Sequence, residues 1–228
     1  MDFEIRPCVP SDAPSLARVH YEVFSKPPIY RVIYAAVEPA EVLAKYEKGF
    51  YEGLESQSNS CPSATRTVEY VKAVDSVSGD IAAYAVWVFL PQGYDPAEDP
   101  QASTAGFPEG CNEAVALKFK LVIAVNRQQH DGRRGPHYLI ALLGTHPRYE
   151  RRGAATQLIK WGCERADVEG LPCYVDSSIT GHPLYWKFGF RDVGSMEVDL
   201  DQYEGGEGLG VQRWVAMLRE PVSKSDKQ

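Results

Sequence analysis

The chain has 228 residues, 44% of them hydrophobic and 11% aromatic, ample for a packed core. Its formal net charge of −7 argues against general nucleic-acid binding, which needs a basic surface. No stretch approaches the ~20 apolar residues of a membrane helix, and the start Met-Asp-Phe-Glu-Ile has no apolar signal region. A cytoplasmic protein is expected, with neither nucleic acid nor membrane as a partner.

Phe3-Glu4-Ile5-Arg6 reads as a short strand ended by Pro7. Ser11 and Asp12 offer capping oxygens, and Leu16, Val19, His20 and Val23 recur at helical spacing, so Ala13 to Phe24 is predicted as a helix. Pro27-Pro28 breaks it. A second helix is predicted from Pro39 to about Tyr51, followed by a polar loop over 53–64. Thr65 to Val74 and Ile81 to Leu90 read as two strands of an antiparallel hairpin, and the second is apolar on both faces, as a central strand would be. Pro91 to Pro108 is an exposed loop. Asn112 to Gln129 reads as a helix capped by Asn112, although Val122-Ile123 is β-branched, and Asp131 to Gly135 reads as a turn.

An apolar run from about His137 to Thr145 is a buried strand. The amphipathic pattern after Gly153 is a helix stopped by Gly170. Pro172 to Asp176 is a strand, and Pro183 to Phe188 is a short helix ended by Gly189. Phe190 to Leu200 and Gln212 to Leu218 are two last strands around the Gly-rich loop 204–210. Nothing divides the chain, so one domain is expected over 3–218, with an exposed loop insertion near 91–111 and a polar tail over 219–228. Hairpins mixed with crossover connections imply a mixed α/β fold with helices on both faces of the sheet.

The informative stretch is Thr145-His146-Pro147-Arg148-Tyr149-Glu150-Arg151-Arg152-Gly153-Ala154-Ala155-Thr156. It joins a strand to a helix start, where backbone N–H groups lack partners and the helix dipole favours an anion. Gly153 lets a phosphate approach, Ala154 and Ala155 keep the approach open, and Arg148, Arg151 and Arg152 add positive charge. It is neither a Walker loop nor a dinucleotide fingerprint. The five cysteines, Cys8, Cys61, Cys111, Cys163 and Cys173, are scattered without C-x-x-C spacing. His130, His137 and His182 have no ligand spacing either, so no metal is expected.

A second constellation, Ser177-Ser178-Ile179-Thr180-Gly181-His182-Pro183-Leu184-Tyr185-Trp186-Lys187-Phe188-Gly189-Phe190, follows at a characteristic distance. Together the two stretches resemble the GCN5-related N-acetyltransferase (GNAT) superfamily. Glu150-Arg151-Arg152-Gly153-Ala154-Ala155 matches its acetyl-CoA loop, and Leu184 to Phe190 matches its later Leu-Tyr-x-x-x-Gly-Phe signature. Gly181-His182-Pro183-Leu184-Tyr185 looks like the fungal-type members. Two positions depart from the pattern: Glu150 stands where the family has Gln or Arg, and Ser178 where it often has Asn.

The resemblance implies a GNAT-like central, mostly antiparallel sheet of six to seven strands. It implies acetyl-CoA as co-substrate and direct transfer of the acetyl group to an amine acceptor, most simply a small amine. A protein or peptide acetyltransferase, or a CoA-binding protein without catalysis, are the alternatives. CoA contacts would come from Leu143, Gly144, Thr145, Arg151, Arg152, Gly153, Ala154, Ala155, Thr156 and Ser178. The family splays its strands at Leu143 and Gly144, and Gly144 would ease a bulge there. Tyr185 would act as general acid towards the leaving thiolate. Asp176 is the candidate to bind a cationic amine or act through water, against the plainer reading of a satisfied structural aspartate. Tyr21, Phe24, Tyr30 and Tyr34 would line the acceptor side, since the first helix pair covers it in this family. A monomer or a homodimer is equally compatible.

Overall fold

In the computed structural model, residues 2–58, 66–98, 107–130 and 135–223 are described. The predicted sites all lie within them, whereas Cys61 and most of the predicted turn 131–135 lie outside. The strands are β1 (Phe3–Pro7), β2 (Thr67–Asp75), β3 (Ile81–Leu90), β4 (His137–Thr145), β5 (Cys173–Ser178), β6 (Arg191–Asp199) and β7 (Val211–Arg219). The helices are α1 (Ala13–Phe24), α2 (Pro28–Ile33), α3 (Pro39–Ser58), α4 (Glu113–His130), α5 (Ala154–Glu169) and α6 (His182–Lys187). The seven strands form one sheet in the order β1-β2-β3-β4-β5-β7-β6, antiparallel throughout except at β4–β5. This is the mixed, mostly antiparallel sheet expected.

Alternation along the strands divides the core into two layers. On one face Ala83, Ala85, Trp87, Ile140 and Val175 meet Leu158, Ile159 and Cys163 of α5 and Tyr185 of α6. On the other, Tyr84, Val86, Val88, Leu139 and Tyr174 meet Leu16 and Val19 of α1 and Phe50 and Leu54 of α3. A third cluster joins Ile29, Val32 and Ile33 of α2 to Val115 and Ala116 of α4. With both faces covered, β3 is apolar along its whole length, as its sequence predicted.

Two helices differ from expectation. Pro28 starts α2 instead of only breaking α1, because proline at the first helical position loses no intrahelical bond. α3 runs on to Ser58, through residues predicted as loop. There Leu54 is fully buried, Tyr70 packs on Gly53, and Gln57 accepts a hydrogen bond from the Tyr70 amide at 3.1 Å.

The single parallel junction is short. β4 and β5 pair only at Tyr138–Cys173, Leu139–Tyr174 and Ile140–Val175, although both strands continue. Beyond Ile140 and Val175 they separate, with β4 still paired to β3 and β5 still paired to β7. The register between β3 and β4 shifts at this point: Val86 faces Leu142 and Trp87 faces Ile140, which leaves Ala141 as the extra residue. The bulge therefore sits at Ala141, not at Gly144. A bulge bends its strand and increases the local twist, which turns β4 away from β5.

A buried ion pair spans the far side of this gap. Arg219 at the end of β7 donates to both carboxylate oxygens of Asp167 on α5, at 2.8 and 3.0 Å, and the Val222 amide adds a third bond at 2.8 Å. The chain thus stays attached to α5 beyond residue 219, where the polar tail was predicted to start.

Candidate functional site

The gap between β4 and β5 opens at the carboxyl ends of two parallel strands, where α/β sheets commonly bind ligands. α5 follows β4 and α6 follows β5, so both helix starts flank the same opening. The connection from β4 to α5 is built rigidly. His146 accepts a hydrogen bond from the Arg148 amide through Nδ1 and caps the turn Pro147–Tyr149. Tyr149 is buried, and its hydroxyl donates to Asp80 at 2.7 Å and lies 3.0 Å from the Ser78 hydroxyl. The bond from Tyr149 and a second from Ser78, with Arg148 nearby, hold the Asp80 carboxyl below its usual pKa. The Arg148 and Arg152 guanidiniums lie 5.8 and 5.9 Å from the Tyr149 ring.

After Tyr149 the backbone turns left-handed twice, at Arg151 (φ 59°) and at Gly153 (φ 94°). Arg151 is the one non-glycine residue with positive φ among the described residues, and such outliers concentrate at binding sites. Gly153 occupies the N-cap of α5 and supplies no capping side chain. The first helix-closing bond runs from the Gln157 amide to the Gly153 carbonyl at 3.1 Å. Ahead of it, the amides of Arg151, Gly153, Ala154, Ala155 and Thr156 find no acceptor among the described residues. A helix start without a cap, preceded by left-handed turns, forms a nest of N–H groups suited to a phosphate. Glu150 is exposed.

Along the gap, the His146 amide bonds to the Ala82 carbonyl of β3 at 2.9 Å. Alternation directs the Gly144 backbone the same way, and that of Leu143 and Thr145 away from β3, towards the open side. Leu143 and Thr145 are therefore positioned to bond a ligand in the gap. Gly144 serves differently: a Cβ there would meet the Tyr84 ring at 2.8 Å, so glycine is what lets Tyr84 lie flat on β4. Across the gap, the Ser178 hydroxyl accepts from the Gly181 amide at 3.1 Å and lies 3.1 Å from the Thr180 hydroxyl, which ties it to the turn before α6.

Tyr185 is buried on α6, with its ring edge-on to Phe190 at 5.5 Å. Burial, reinforced by nearby Cys163, pushes its phenol well above the usual value, so it stays protonated at neutral pH. Asp176 is engaged elsewhere. It accepts from Arg127 Nε at 2.7 Å, Asn126 Nδ2 at 2.9 Å and the Tyr174 hydroxyl at 2.9 Å. Its side chain is 7% exposed and that of Arg127 4%. This geometry matches the plainer reading of a structural aspartate: both carboxylate oxygens accept from donors on α4 and on its own strand.

On the opposite face of the gap the predicted acceptor residues fall into an aromatic lattice. Phe24 and Tyr30 lie 5.6 Å apart, Tyr30 and Phe119 5.8 Å, and Tyr34 and Tyr46 6.2 Å. Tyr21 makes no ring contact among the described residues. The sequence did not single out the centre of the lattice. His20 is buried and hydrogen-bonded through Nδ1 to the Tyr84 hydroxyl, and it packs on Phe24 and Tyr46 at 4.3 Å each and on Phe50 at 5.7 Å. Burial, with Lys45 adding to it, lowers the His20 pKa to about 3. Burial and the neighbouring hydroxyls of Tyr34, Tyr30 and Tyr84 raise the Tyr46 phenol. In sequence, His20 read only as one apolar-face position of α1.

No group of three or more His, Cys, Asp and Glu side chains among the described residues could hold a metal ion. No helix among them is long and apolar enough to cross a membrane.

Residues 120–190 match the model of the Acetyltransferase (GNAT) family, a span running from within α4 through the gap and the nest to the end of the α6 motif. No curated protein matches the chain. Among solved structures, it is similar to arylalkylamine N-acetyltransferase 2 from Aedes aegypti, with TM-score 0.62 and 15% identity over 96% of this chain and 99% of that one. It is similar to a histone acetyltransferase HPA2 and related acetyltransferase from Corynebacterium glutamicum, with TM-score 0.58 and 20% identity over 99% of both chains. It is also similar to PaiA N-acetyltransferase from Thermoplasma acidophilum in complex with coenzyme A, with TM-score 0.52 and 13% identity over 96% of this chain and 99% of that one. The fold of this chain is that of these acetyltransferases.

Proposed function

We propose that the chain is an acetyl-CoA-dependent N-acetyltransferase that acylates a primary amine, most simply a small one. The observation that carries this reading is the set of amides of Arg151, Gly153, Ala154, Ala155 and Thr156 at an uncapped helix start, one short turn after a strand that has parted from its neighbour. The match to the acetyltransferase family model over 120–190 and the whole-chain fold support an acyltransferase.

Acetyl-CoA would supply the activated thioester. The nest at Arg151, Gly153, Ala154, Ala155 and Thr156 holds the pyrophosphate, and exposed Arg151 and Arg152 add positive charge. Leu143 and Thr145 offer backbone groups to the pantetheine arm. The acceptor amine enters from the α1–α3 face, past Phe24, Tyr30 and Tyr34. Positioning of the two substrates supplies much of the rate, because attack within a ternary complex is effectively unimolecular. As the C–N bond forms and the C–S bond breaks, Tyr185 donates its proton to the departing sulfur, and the proton lost from the amine nitrogen passes through solvent and restores the tyrosine. His20, held neutral, orients the Tyr84 ring against Gly144 and so shapes the wall facing the reacting carbonyl.

Acetyl-CoA at about 100 times its dissociation constant should raise the melting temperature by about 5–10 °C, from ~2.7 kcal/mol of added stability. No shift would remove the nest as a CoA site. A shift without release of free thiol across a broad amine panel would leave a CoA-binding protein without catalysis. Tyr185→Phe should lower kcat about 100-fold while keeping the acetyl-CoA shift. Turnover equal to the parent would take the general-acid role away from Tyr185.

A further inference from the structure

Resting on the acetyltransferase reading, we infer that the acceptor is an anionic amine: a primary amine carrying a carboxylate several atoms from the reacting nitrogen. Lys45 at the outer edge of the aromatic lattice recognises that carboxylate.

The geometry is a continuous line of contacts from the gap to a cation. Tyr84 lies on Gly144, His20 bonds Tyr84, and Tyr46 packs on His20. Lys45 follows, with its Nζ 5.8 Å from the Tyr46 ring centre. The same Nζ lies 5.7 Å from the Tyr34 ring and 5.6 Å from the Phe107 ring, and donates to the Tyr34 hydroxyl at 3.3 Å. Lys120, from α4, places its own Nζ 4.3 Å from the other contact ring, Phe107.

An ammonium group already occupies the centre of these rings. An aromatic cage favours a cation, but here the protein provides that cation itself. Lys45 forms no ion pair with any described carboxylate, and its one hydrogen-bond partner is a neutral phenol. The two remaining Nζ protons can meet an acceptor from outside. Glu113 is exposed at the start of α4. Asp176, on β5, is consumed by Arg127. A diamine would bring its second ammonium towards Lys45, and like charges in a partly buried site repel. A carboxylate at the same distance would gain charge-assisted hydrogen bonds. Because Tyr84, His20 and Tyr46 all lie between Gly144 and Lys45, the carboxylate must be remote from the nitrogen, as in an ω-amino acid and unlike an α-amino acid.

The test uses three probes of one length: 6-aminohexanoate, hexylamine and 1,6-diaminohexane, titrated by calorimetry into the full chain saturated with CoA. The expected order of affinity is 6-aminohexanoate, then hexylamine, then the diamine, with at least about a five-fold step between the first two. Lys45→Met should bring the carboxylate-to-hexylamine ratio close to one, Lys45→Arg should keep it, and Lys45→Glu should put the diamine first. Hexylamine or the diamine binding as tightly as 6-aminohexanoate would overturn the inference. So would a ratio unchanged in Lys45→Met, or no heat from 6-aminohexanoate. Binding is read without turnover, so these outcomes stay separate from failure of the acetyl-CoA shift, which would strike the acetyltransferase reading itself.

Discussion

Arg127→Met is expected to lower the unfolding free energy by about 3–5 kcal/mol, read as a shift of the urea midpoint at unchanged slope. Arg127 on α4 and Asp176 on β5 are both almost fully buried. Removing the guanidinium leaves a carboxylate in the interior with only Asn126 and Tyr174 as donors. Desolvation of that unpaired charge, more than the lost attraction, sets the size of the effect. Adding Asp176→Asn to Arg127→Met should restore much of the loss, because the remaining side chain is neutral. A loss below about 1 kcal/mol in the single variant would mean that the pair is solvated. Asp176→Asn alone should cost stability and leave the pH profile of turnover in place, whereas a true base would erase its acidic limb.

The second large effect is on acid stability. His20 titrates at about 3 in the folded protein and near the ordinary 6.5 when unfolded. Between those values the unfolded chain binds a proton that the folded one refuses, so stability must fall as pH falls from 6.5 towards 3. The slope approaches about 1.4 kcal/mol per pH unit through that window. Above 6.5 this contribution is fully present and constant. His20→Gln retains a hydrogen-bonding side chain beside Tyr84 and cannot titrate, so its stability should vary less with pH over the same window. Parallel curves for parent and variant would show that another group carries the acid sensitivity.

How much of this was legible in the sequence follows from contact range. α1 and β3 could be read because their apolar periods are local. The nest could be read because it is contiguous, with strand, arginines, glycine and helix start in one run. The end of α3 could not, since Gly53 and Ser56 are poor helix formers, and the segment is held there by Tyr70 on another strand, through Gly53 and Gln57. For Asp176 the sequence left an amine-binding or water-mediated role open beside a satisfied structural aspartate, because its partner Arg127 lies 49 residues away on a different element. The acceptor side was half legible: Phe24, Tyr30 and Tyr34 sit close together in the chain, while His20, Lys45 and Tyr84 join them only through the fold. Placing the bulge at Gly144 was reasonable from composition, but Ala141 bulges, and Gly144 answers instead to an aromatic ring on the neighbouring strand.

The clamp of Asp167 on Arg219 and Val222 has a mechanical consequence. A sheet that parts along β4 and β5 transmits no load across that seam beyond three residue pairs. β1 to β4 and β5 to β7 then resemble two leaves joined at one end, and α5 is the brace packed against the first leaf. Asp167 fastens that brace to β7, in the second leaf, with two hydrogen bonds from Arg219, and to the segment just after it with one from Val222. The leaves can therefore stay apart without swinging, and the width of the opening is set by a fastening at the far end of α5 from the mouth.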